Sequence, residues 1–309
     1  MKTILITAIG GDIAQGVASI IREARPEYRI IGTDIHKRHG GTLYVDAFYL
    51  IPAASNPSYS ESIYQIIESE SVDIVMPISE PELGVWINTP NRLENVKWIM
   101  PGNKVIHVGL DKLETANALA ELGLEVPWTQ ASEKGMPKEL PCIFKGRTGS
   151  GSRNIFVVYD EHDAQYLRNR YSESIFQELL EPEEQEVTCA VFRASNGEIS
   201  IFQMRRKLAG GLTDWVETIN NRDVRAMCEK IAKGLGLCGS MNIQLRITAV
   251  GPRVFEINPR FSSTAVIRHR LGFTDVVWSL DDVEGREIEF PMLEAGKTAV
   301  RTKDAVVLD

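Results

Sequence analysis

The chain has 309 residues and a formal net charge of −8, from 34 Lys and Arg residues against 42 Asp and Glu residues. Hydrophobic residues make up 43% of the sequence and charged residues 25%, which is typical of a globular protein and excludes a wholly disordered chain. The acidic balance argues against a nucleic-acid partner, because phosphate backbones attract basic surfaces. No apolar run approaches the roughly 18–20 residues that span a bilayer, and the first residues do not resemble a signal peptide. We therefore expect a cytoplasmic protein that binds neither nucleic acid nor a membrane.

Strand and helix patterns alternate through the first hundred residues. Short apolar runs that suit buried strands are separated by stretches with helical spacing, such as Ile13, Val17 and Ile20. This alternation predicts parallel strands joined by crossover helices, and so a Rossmann-like parallel-sheet domain over residues 1–108. Ligands bind such a sheet at the carboxyl ends of its strands. The predicted strands are Thr3–Ala8, Tyr28–Thr33, Val72–Ile78 and Trp98–Met100, and a helix is predicted at Glu61–Ser69.

The pattern changes near residue 110, after which strands dominate. Asp111 and Glu114 have the spacing of a capping box and predict the start of a helix. A second amphipathic helix is predicted from Val224 to Leu235, because its apolar residues recur on one face. The predicted strands are Cys142–Lys145, Ile155–Tyr159, Ser174–Gln177, Glu186–Phe192, Ile199–Met204, Met241–Thr248 and Arg253–Asn258, with a final strand pair or edge within Lys297–Leu308.

The hairpin formed by the strands near residues 244 and 256 has a polar face. Alternation places Glu256 and Asn258 on one face, with Phe255 and Ile257 pointing away, and the turn places Gln244 roughly opposite Glu256. Three side-chain oxygens converge there, a ligand set that suits Mg²⁺. With a single carboxylate the site needs further anionic oxygens, which a nucleoside triphosphate supplies. The alternative for this hairpin alone is a solvated polar sheet face.

A glycine-rich loop lies between the strands that end near Lys145 and begin near Ile155. Glycines let backbone N–H groups approach phosphate oxygens closely, so Gly149, Ser150, Gly151 and Ser152 are candidate phosphate contacts. The lysine precedes the glycines and no helix follows, which excludes a Walker loop. The pattern predicts a strand–loop–strand cover over phosphates, with Lys145 as a point charge at its base. A flexible surface hairpin is the alternative for this loop alone.

Taken in order, these segments resemble the ATP-grasp superfamily, in the branch of the carbamoyl phosphate synthase large subunit. The resemblance is carried by the helix start at Lys112, the Lys145 loop, the segment Gln177–Leu180 and, most specifically, Glu256–Arg260. It implies a mixed α/β and α+β fold, in which a Rossmann-like parallel-sheet domain (1–108) precedes a two-lobed ATP-grasp domain with antiparallel sheets. The two lobes would be a small lid (109–180) and a C-terminal subdomain with the metal site (181–309).

The resemblance also implies ATP and Mg²⁺ (or Mn²⁺) as cofactors and a role for each matching residue. Glu186 matches the ribose carboxylate, although the acidic stretch before it leaves Glu183 and Glu184 as alternatives. Arg260 matches a basic residue near the transferred phosphoryl group and, with Lys145, is the catalytic candidate. The other implied contacts are Lys112 and Lys145 to phosphates, Gln177, Glu178 and Leu180 to adenine, and Gln244, Glu256 and Asn258 to the metal.

The activity implied is that of a carboxylate–amine ligase, an enzyme that forms C–N bonds through an acyl phosphate and releases ADP and phosphate. Phosphorylation of bicarbonate or carbamate, as in carbamoyl phosphate synthase, stays open, but a complete synthase is excluded because the chain has one ATP-grasp unit. A nicotinamide-dependent oxidoreductase is disfavoured, since Gly10, Gly11 and Gly16 do not give the G-x-G-x-x-G spacing. A non-catalytic nucleotide-binding protein is a further alternative.

The partners expected are a small-molecule carboxylate and a small-molecule amine, whose identities the sequence does not give. Their site should lie between the amino-terminal domain and the metal hairpin. A homodimer is an open expectation, because relatives commonly pair through the amino-terminal half. The candidate substrate contacts are Gly11, Glu80, Arg205, Arg206 and Ser262.

Overall fold

The amino-terminal third of the computed structural model is a parallel sheet covered by helices. The structure describes residues 1–89, 93, 95–149, 154–209 and 212–302. The five strands lie in the order β3-β2-β1-β4-β5, all parallel, which confirms the predicted Rossmann-like half. Its elements are β1 (Thr3–Ile6), α1 (Asp12–Ala24), β2 (Arg29–Asp34), β3 (Ala47–Leu50), α2 (Tyr59–Ser69), β4 (Ile74–Met76), α3 (Glu80–Ile87), β5 (Lys97–Trp98) and α4 (Asn103–Leu110).

Strand β1 shows why this sheet is buried on both faces. All four of its residues are buried, and alternate side chains enter different cores. Ile4 and Ile6 pack in the core beneath α1, whereas Leu5 packs with Tyr59 and Trp86 in the core on the other face. A continuous apolar run is the pattern expected of a parallel strand that helices cover on both sides.

The middle of the chain forms a small antiparallel sheet, here called the lid sheet. It follows helix α5, whose first turn Asp111 caps by accepting hydrogen bonds from the backbone N–H groups of Leu113 and Glu114. The strand order is β6-β9-β7-β8. Its elements are α5 (Lys112–Glu121), β6 (Thr129–Ala131), β7 (Cys142–Gly146), β8 (Phe156–Val158), α6 (Glu161–Arg170) and β9 (Ser174–Glu178).

The remaining residues form a larger antiparallel sheet, here called the C-terminal sheet. Its order is β14-β13-β10-β11-β12-β15, so the hairpin of β13 and β14 lies at one edge. The two antiparallel sheets confirm the predicted fold class, while the predicted boundaries at 108 and 180 stay predictions. The elements are β10 (Glu186–Arg193), β11 (Ile199–Ala209), β12 (Leu212–Ile219), α7 (Arg222–Leu235), β13 (Gly239–Thr248), β14 (Gly251–Asn258), α8 (Ala265–Arg270), α9 (Asp275–Glu284) and β15 (Thr298–Val300).

The amino-terminal domain and the C-terminal region share buried surface. Phe261, Ala265 and Leu280 belong to the same apolar core as Ile4 and the buried face of α1. Helices α8 and α9 therefore fix the segment after β14 against the parallel sheet. Across the described ranges, no helix combines the length and apolar character that crossing a bilayer demands.

Candidate active site

A cavity of about 150 Å³ lies between the lid sheet and the C-terminal sheet. Residues from β7 and β9 line it on one side, and residues from β10, β11, β13 and β14 line it on the other. Most of the nucleotide and metal contacts expected from the sequence meet in this one place. The lining residues are Ile143, Lys145, Ile155, Gln177, Glu178, Leu180, Glu186, Arg206, Leu208, Gln244, Arg246, Phe255 and Glu256.

The metal candidates share one face of the C-terminal sheet. Gln244 lies directly opposite Glu256. Two residues further along β14, Asn258 lies opposite Asn242. The register shifts after Gln244, because Leu245 pairs with Val254 and leaves Phe255 as an extra residue. This β-bulge turns Phe255 onto the cavity face beside Glu256. The expectation that Phe255 points away from the site was therefore wrong.

The donors on this face suit a hard divalent cation. The Glu256 carboxylate is half-buried and has no hydrogen-bond or ion-pair partner within the ranges that the structure describes. Asn258 is buried, and its Nδ2 likewise has no partner there. The Gln244 Oε1 accepts a hydrogen bond of 2.9 Å from Arg206 Nη2, which leaves one lone pair. The Glu256 carboxylate and the Gln244 carbonyl thus face the cavity as ligands that suit Mg²⁺, with Asn258 two residues further along β14.

Lys145 brings a buried ammonium group to the same cavity. Its Nζ lies 3.4 Å from the Phe255 carbonyl oxygen and 5.5 Å from the centre of the Phe255 ring. Burial lowers the pKa of Lys145 to about 8, and the positive charge of Lys112 acts in the same direction. The negative charges of Glu256 and Glu186 oppose this shift. Among the described residues no carboxylate contacts this buried cation, so it is placed to meet an anion that arrives from outside.

Lys112 and the glycine-rich loop lie at the edge of the lid sheet. The Lys112 Nζ donates to the Gly149 carbonyl oxygen at 2.7 Å, and its backbone N–H donates to Arg147 at 3.0 Å. Arg147 in turn forms an ion pair of 2.7 Å with Asp111. These contacts fix the base of the loop to the first turn of α5. The predicted phosphate contacts Ser150, Gly151 and Ser152 lie outside the described residues.

The expected adenine segment, Gln177–Leu180, contributes Gln177, Glu178 and Leu180 to the cavity lining. Gln177 is buried and donates from Nε2 to Thr129 at 3.0 Å. The Glu178 carboxylate accepts a hydrogen bond of 3.1 Å from the Trp128 N–H and lies 3.3 Å from the guanidinium group of Arg253. These contacts hold the segment's backbone at the rim, where an adenine edge would meet it.

Glu186 forms ion pairs with two arginines in the cavity wall. Its Oε1 lies 2.7 Å from Arg206 Nη2, and its Oε2 lies 3.0 Å from Arg246 Nη2. Glu183 and Glu184, the alternatives for the ribose carboxylate, are exposed in a short 3-10 turn. Of the three acidic residues, only Glu186 therefore lines the cavity.

Arg260 and Glu80 meet across the boundary between the amino-terminal domain and the C-terminal region. Arg260 Nη2 lies 2.8 Å from Glu80 Oε1, and the two side chains are only 11% and 9% exposed. Glu80 begins α3 just after β4, while Arg260 follows β14, so both come from strand ends. Gly11 precedes α1 after the neighbouring β1, and the substrate cleft expected here stays a prediction.

Two candidate substrate contacts, Arg205 and Ser262, have partners within the protein. Arg205 is on the face of β11 opposite Arg206 and pairs with Glu217 at 2.8 Å, because successive strand residues point to opposite faces. Ser262 is buried, and its Oγ accepts a hydrogen bond of 2.8 Å from Arg268. The expectation that Arg205 and Ser262 contact substrate stays a prediction.

Sequence reasoning also missed cavity residues. Arg246 lines the site two residues after Gln244, so strand alternation from that metal candidate would have found it. Phe255 had no such indication, because the bulge that exposes it arises from pairing with β13. Arg253 reaches Glu178 over a separation of 75 residues, which sequence spacing does not reveal.

The turn between β1 and α1, where a dinucleotide would bind a parallel sheet, is not open to a ligand. The Asp34 carboxylate accepts hydrogen bonds from the backbone N–H groups of Gly10 at 2.8 Å and His36 at 2.9 Å. The chain also packs closely over this turn, since a Cβ on Gly41 would lie 2.1 Å from the Ile9 carbonyl oxygen. The Asp34 carboxylate is occupied by backbone N–H groups, and the turn is covered by the chain. Both features argue against the oxidoreductase alternative.

Two family profiles match the chain. The ATP-grasp domain matches residues 110–264, and the PylC-like N-terminal domain matches residues 4–101. No curated protein gives a significant match. Residues 102–109, which include most of α4, separate the two matched ranges.

Solved structures match over nearly the whole chain. N5-carboxyaminoimidazole synthetase from Staphylococcus aureus, complexed with ADP, is 17% identical, with a TM-score of 0.73 over 93% of this chain and 78% of that one. A biotin carboxylase complex from Campylobacter jejuni is 18% identical, with a TM-score of 0.73 and coverage of 96% and 74%. The biotin carboxylase domain dimer of 2-oxoglutarate carboxylase from Hydrogenobacter thermophilus, with MgADP and bicarbonate, is 16% identical, with a TM-score of 0.74 and coverage of 96% and 73%. At these identities the likeness establishes the fold.

Proposed function

Because the chain belongs to the ATP-grasp family, we propose that it is an ATP-dependent ligase that joins a small-molecule carboxylate to an amine through an acyl phosphate. The observation that carries this proposal is the single cavity in which Lys145, Glu256 and Gln244 converge under the lid sheet. A buried ammonium beside a carboxylate with no hydrogen-bond partner among the described residues suits a triphosphate bound with a divalent cation. We propose Mg²⁺ or Mn²⁺ as the metal.

In the proposed reaction, a substrate carboxylate oxygen attacks the γ-phosphorus of ATP and ADP leaves. The amine then attacks the acyl carbon, phosphate leaves, and the amine's proton passes to solvent. The bound metal supplies charge neutralisation at the phosphates. Lys145 binds phosphate oxygens, while Arg260, held by Glu80 at 2.8 Å, stabilises the phosphoryl group and the acyl oxygen. No protein nucleophile is needed, so catalysis rests on positioning and charge.

Bicarbonate as the phosphorylated acid is the second candidate. It is favoured by the Hydrogenobacter thermophilus domain, whose structure contains MgADP and bicarbonate in the same fold. We also propose a homodimer, because this relative is a dimer. The expectation of a cytoplasmic protein stays a prediction.

The proposed function is tested by ATP-dependent ADP release with hydroxylamine as the amine. Hydroxylamine traps acyl phosphates as hydroxamates, so a panel of carboxylic acids reports which acid is activated. Bicarbonate is assayed separately as the acid, with ADP formation as the readout. We expect one class of acid to give Mg²⁺-dependent ADP and hydroxamate in equal amounts. If the protein binds no ADP in the presence of Mg²⁺, the proposal is wrong.

The lowered pKa of Lys145 predicts how nucleotide binding depends on pH. Above its pKa of about 8, Lys145 in the free protein is neutral and must regain a proton to bind phosphate. ADP affinity should therefore fall about tenfold between pH 7 and 9. Calorimetry in buffers of different ionisation enthalpy should detect proton uptake at pH 9.

The matched variant is Lys145→Arg, which keeps a positive charge over the whole range. Its ADP affinity, even where weaker overall, should lack the loss above pH 8. An identical alkaline loss in both proteins would show that another group titrates.

A further inference from the structure

We propose that Glu186 is a positioning residue that joins the base end of the nucleotide site to its metal end, rather than a ligand of ribose hydroxyls. This inference rests on the proposed function, because it concerns how the nucleotide site is held. Each oxygen of its carboxylate accepts a hydrogen bond from an arginine: Oε1 accepts from Arg206 Nε at 2.8 Å, and Oε2 accepts from Arg246 Nη2 at 3.0 Å.

Each arginine continues to one end of the cavity. Arg246 Nη1 donates to the carbonyl oxygen of Leu180, in the segment expected to meet adenine. Arg206 Nη2 donates to Gln244 Oε1 at 2.9 Å, at the metal face. A continuous series of contacts therefore crosses the site. We call this series, Leu180, Arg246, Glu186, Arg206 and Gln244, the Glu186 chain.

The strand register explains why these groups meet. Strand β10 lies between β11 and β13, and Glu186 stands directly opposite Arg246. Arg206 follows Arg205, which pairs with Val187, so Arg206 flanks Glu186 on the other side. One carboxylate thus receives a guanidinium from each neighbouring strand. The planar fork of arginine suits such paired contacts, which a flexible lysine would hold less well.

Burial makes these contacts strong enough to fix positions. The side chains of Arg206, Glu186 and Arg246 are 9%, 15% and 13% exposed. In such surroundings charged hydrogen bonds are stronger than in water. Without the Glu186 charge, two arginines would face each other in one cavity, and both would lose their anchor. Gln244 and the Leu180 carbonyl would then lose the orientation that the metal and the base require.

The test measures ADP binding by calorimetry with and without Mg²⁺, together with binding of 2′,3′-dideoxy-ADP. In Glu186→Gln we expect the Mg²⁺ enhancement of ADP affinity to fall about tenfold, as for other residues that orient metal ligands. The preference for ADP over the dideoxy nucleotide should stay within about twofold of the original protein. Collapse of that preference with an unchanged Mg²⁺ enhancement would overturn the proposal and assign Glu186 to the ribose.

Two arginine variants keep the inference testable if Glu186→Gln folds poorly. Arg206→Lys should lower the Mg²⁺ enhancement more than the Mg²⁺-free ADP affinity, whereas Arg246→Lys should lower the Mg²⁺-free affinity more. If the two variants changed the Mg²⁺ enhancement and the Mg²⁺-free affinity equally, the assignment of Arg206 to the metal end and Arg246 to the base end would be contradicted. The matched control is Glu217→Gln, which breaks the 2.8 Å pair with Arg205 on the opposite face of the same sheet. It should change neither measurement. If the unaltered protein binds no ADP, the proposed function itself fails, a result distinct from all of these.

Discussion

Replacing Glu256 by glutamine is expected to lower Mg²⁺-dependent turnover by about 10²–10³-fold. Glu256 is the single carboxylate of the donor set, so its replacement leaves three neutral amides to face a divalent ion. The variant also removes the negative charge that raises the pKa of Lys145, so the ammonium that binds phosphate becomes harder to keep charged. Both changes act in the same direction. Turnover is measured as ADP release with the acid that the hydroxamate screen identifies.

The fold should tolerate this change, which separates chemistry from stability. The Glu256 carboxylate has no hydrogen-bond partner among the residues that the structure describes, and glutamine has nearly its shape. We expect the midpoint of urea unfolding to stay close to that of the original protein, while calorimetry shows no Mg²⁺ enhancement of ADP affinity. Glu217→Gln serves again as the control. Full turnover in Glu256→Gln would refute the metal assignment.

The sequence was informative where function depends on close spacing along one strand. Gln244, Glu256 and Asn258 could be placed on one face because strand side chains alternate and the turn at Gly251 sets the pairing. Lys145 could be placed beside them through the family resemblance. The cavity in which Lys145 meets Glu256 agrees with both arguments.

The sequence was misleading where a side chain's surroundings come from distant residues. Arg205 and Arg206 were both named as candidate substrate contacts, although neighbouring strand residues point to opposite faces. Ser262 looked available, but Arg268 engages it. Helix α6 went unpredicted because it is mostly polar and buries only Ala164 and Leu167.

The second large effect is expected at Arg268, which anchors the segment that follows Asn258. Arg268 is fully buried and forms two hydrogen bonds with Asp275, at 2.9 and 2.6 Å, and one with Ser262 at 2.8 Å. Asp275 also accepts from Ser240 on β13. The pair thus ties the segment that carries Arg260 to the sheet that carries the metal donors.

Arg268→Met should lower the free energy of unfolding by about 3–5 kcal/mol, because it leaves the Asp275 carboxylate buried without its cation. Urea unfolding followed by tryptophan fluorescence measures this. Arg268→Met combined with Asp275→Leu should recover much of the loss, since no unpaired charge remains.

The control is Arg270→Met, two residues on in the same helix, whose pair with Glu23 is 61% and 48% exposed. Exposed pairs contribute little, so this variant should unfold almost like the original protein. Equal stability of the Arg268 and Arg270 variants would show that the buried pair does not hold the segment, and Arg260 would then owe its position to Glu80 and the packing around it.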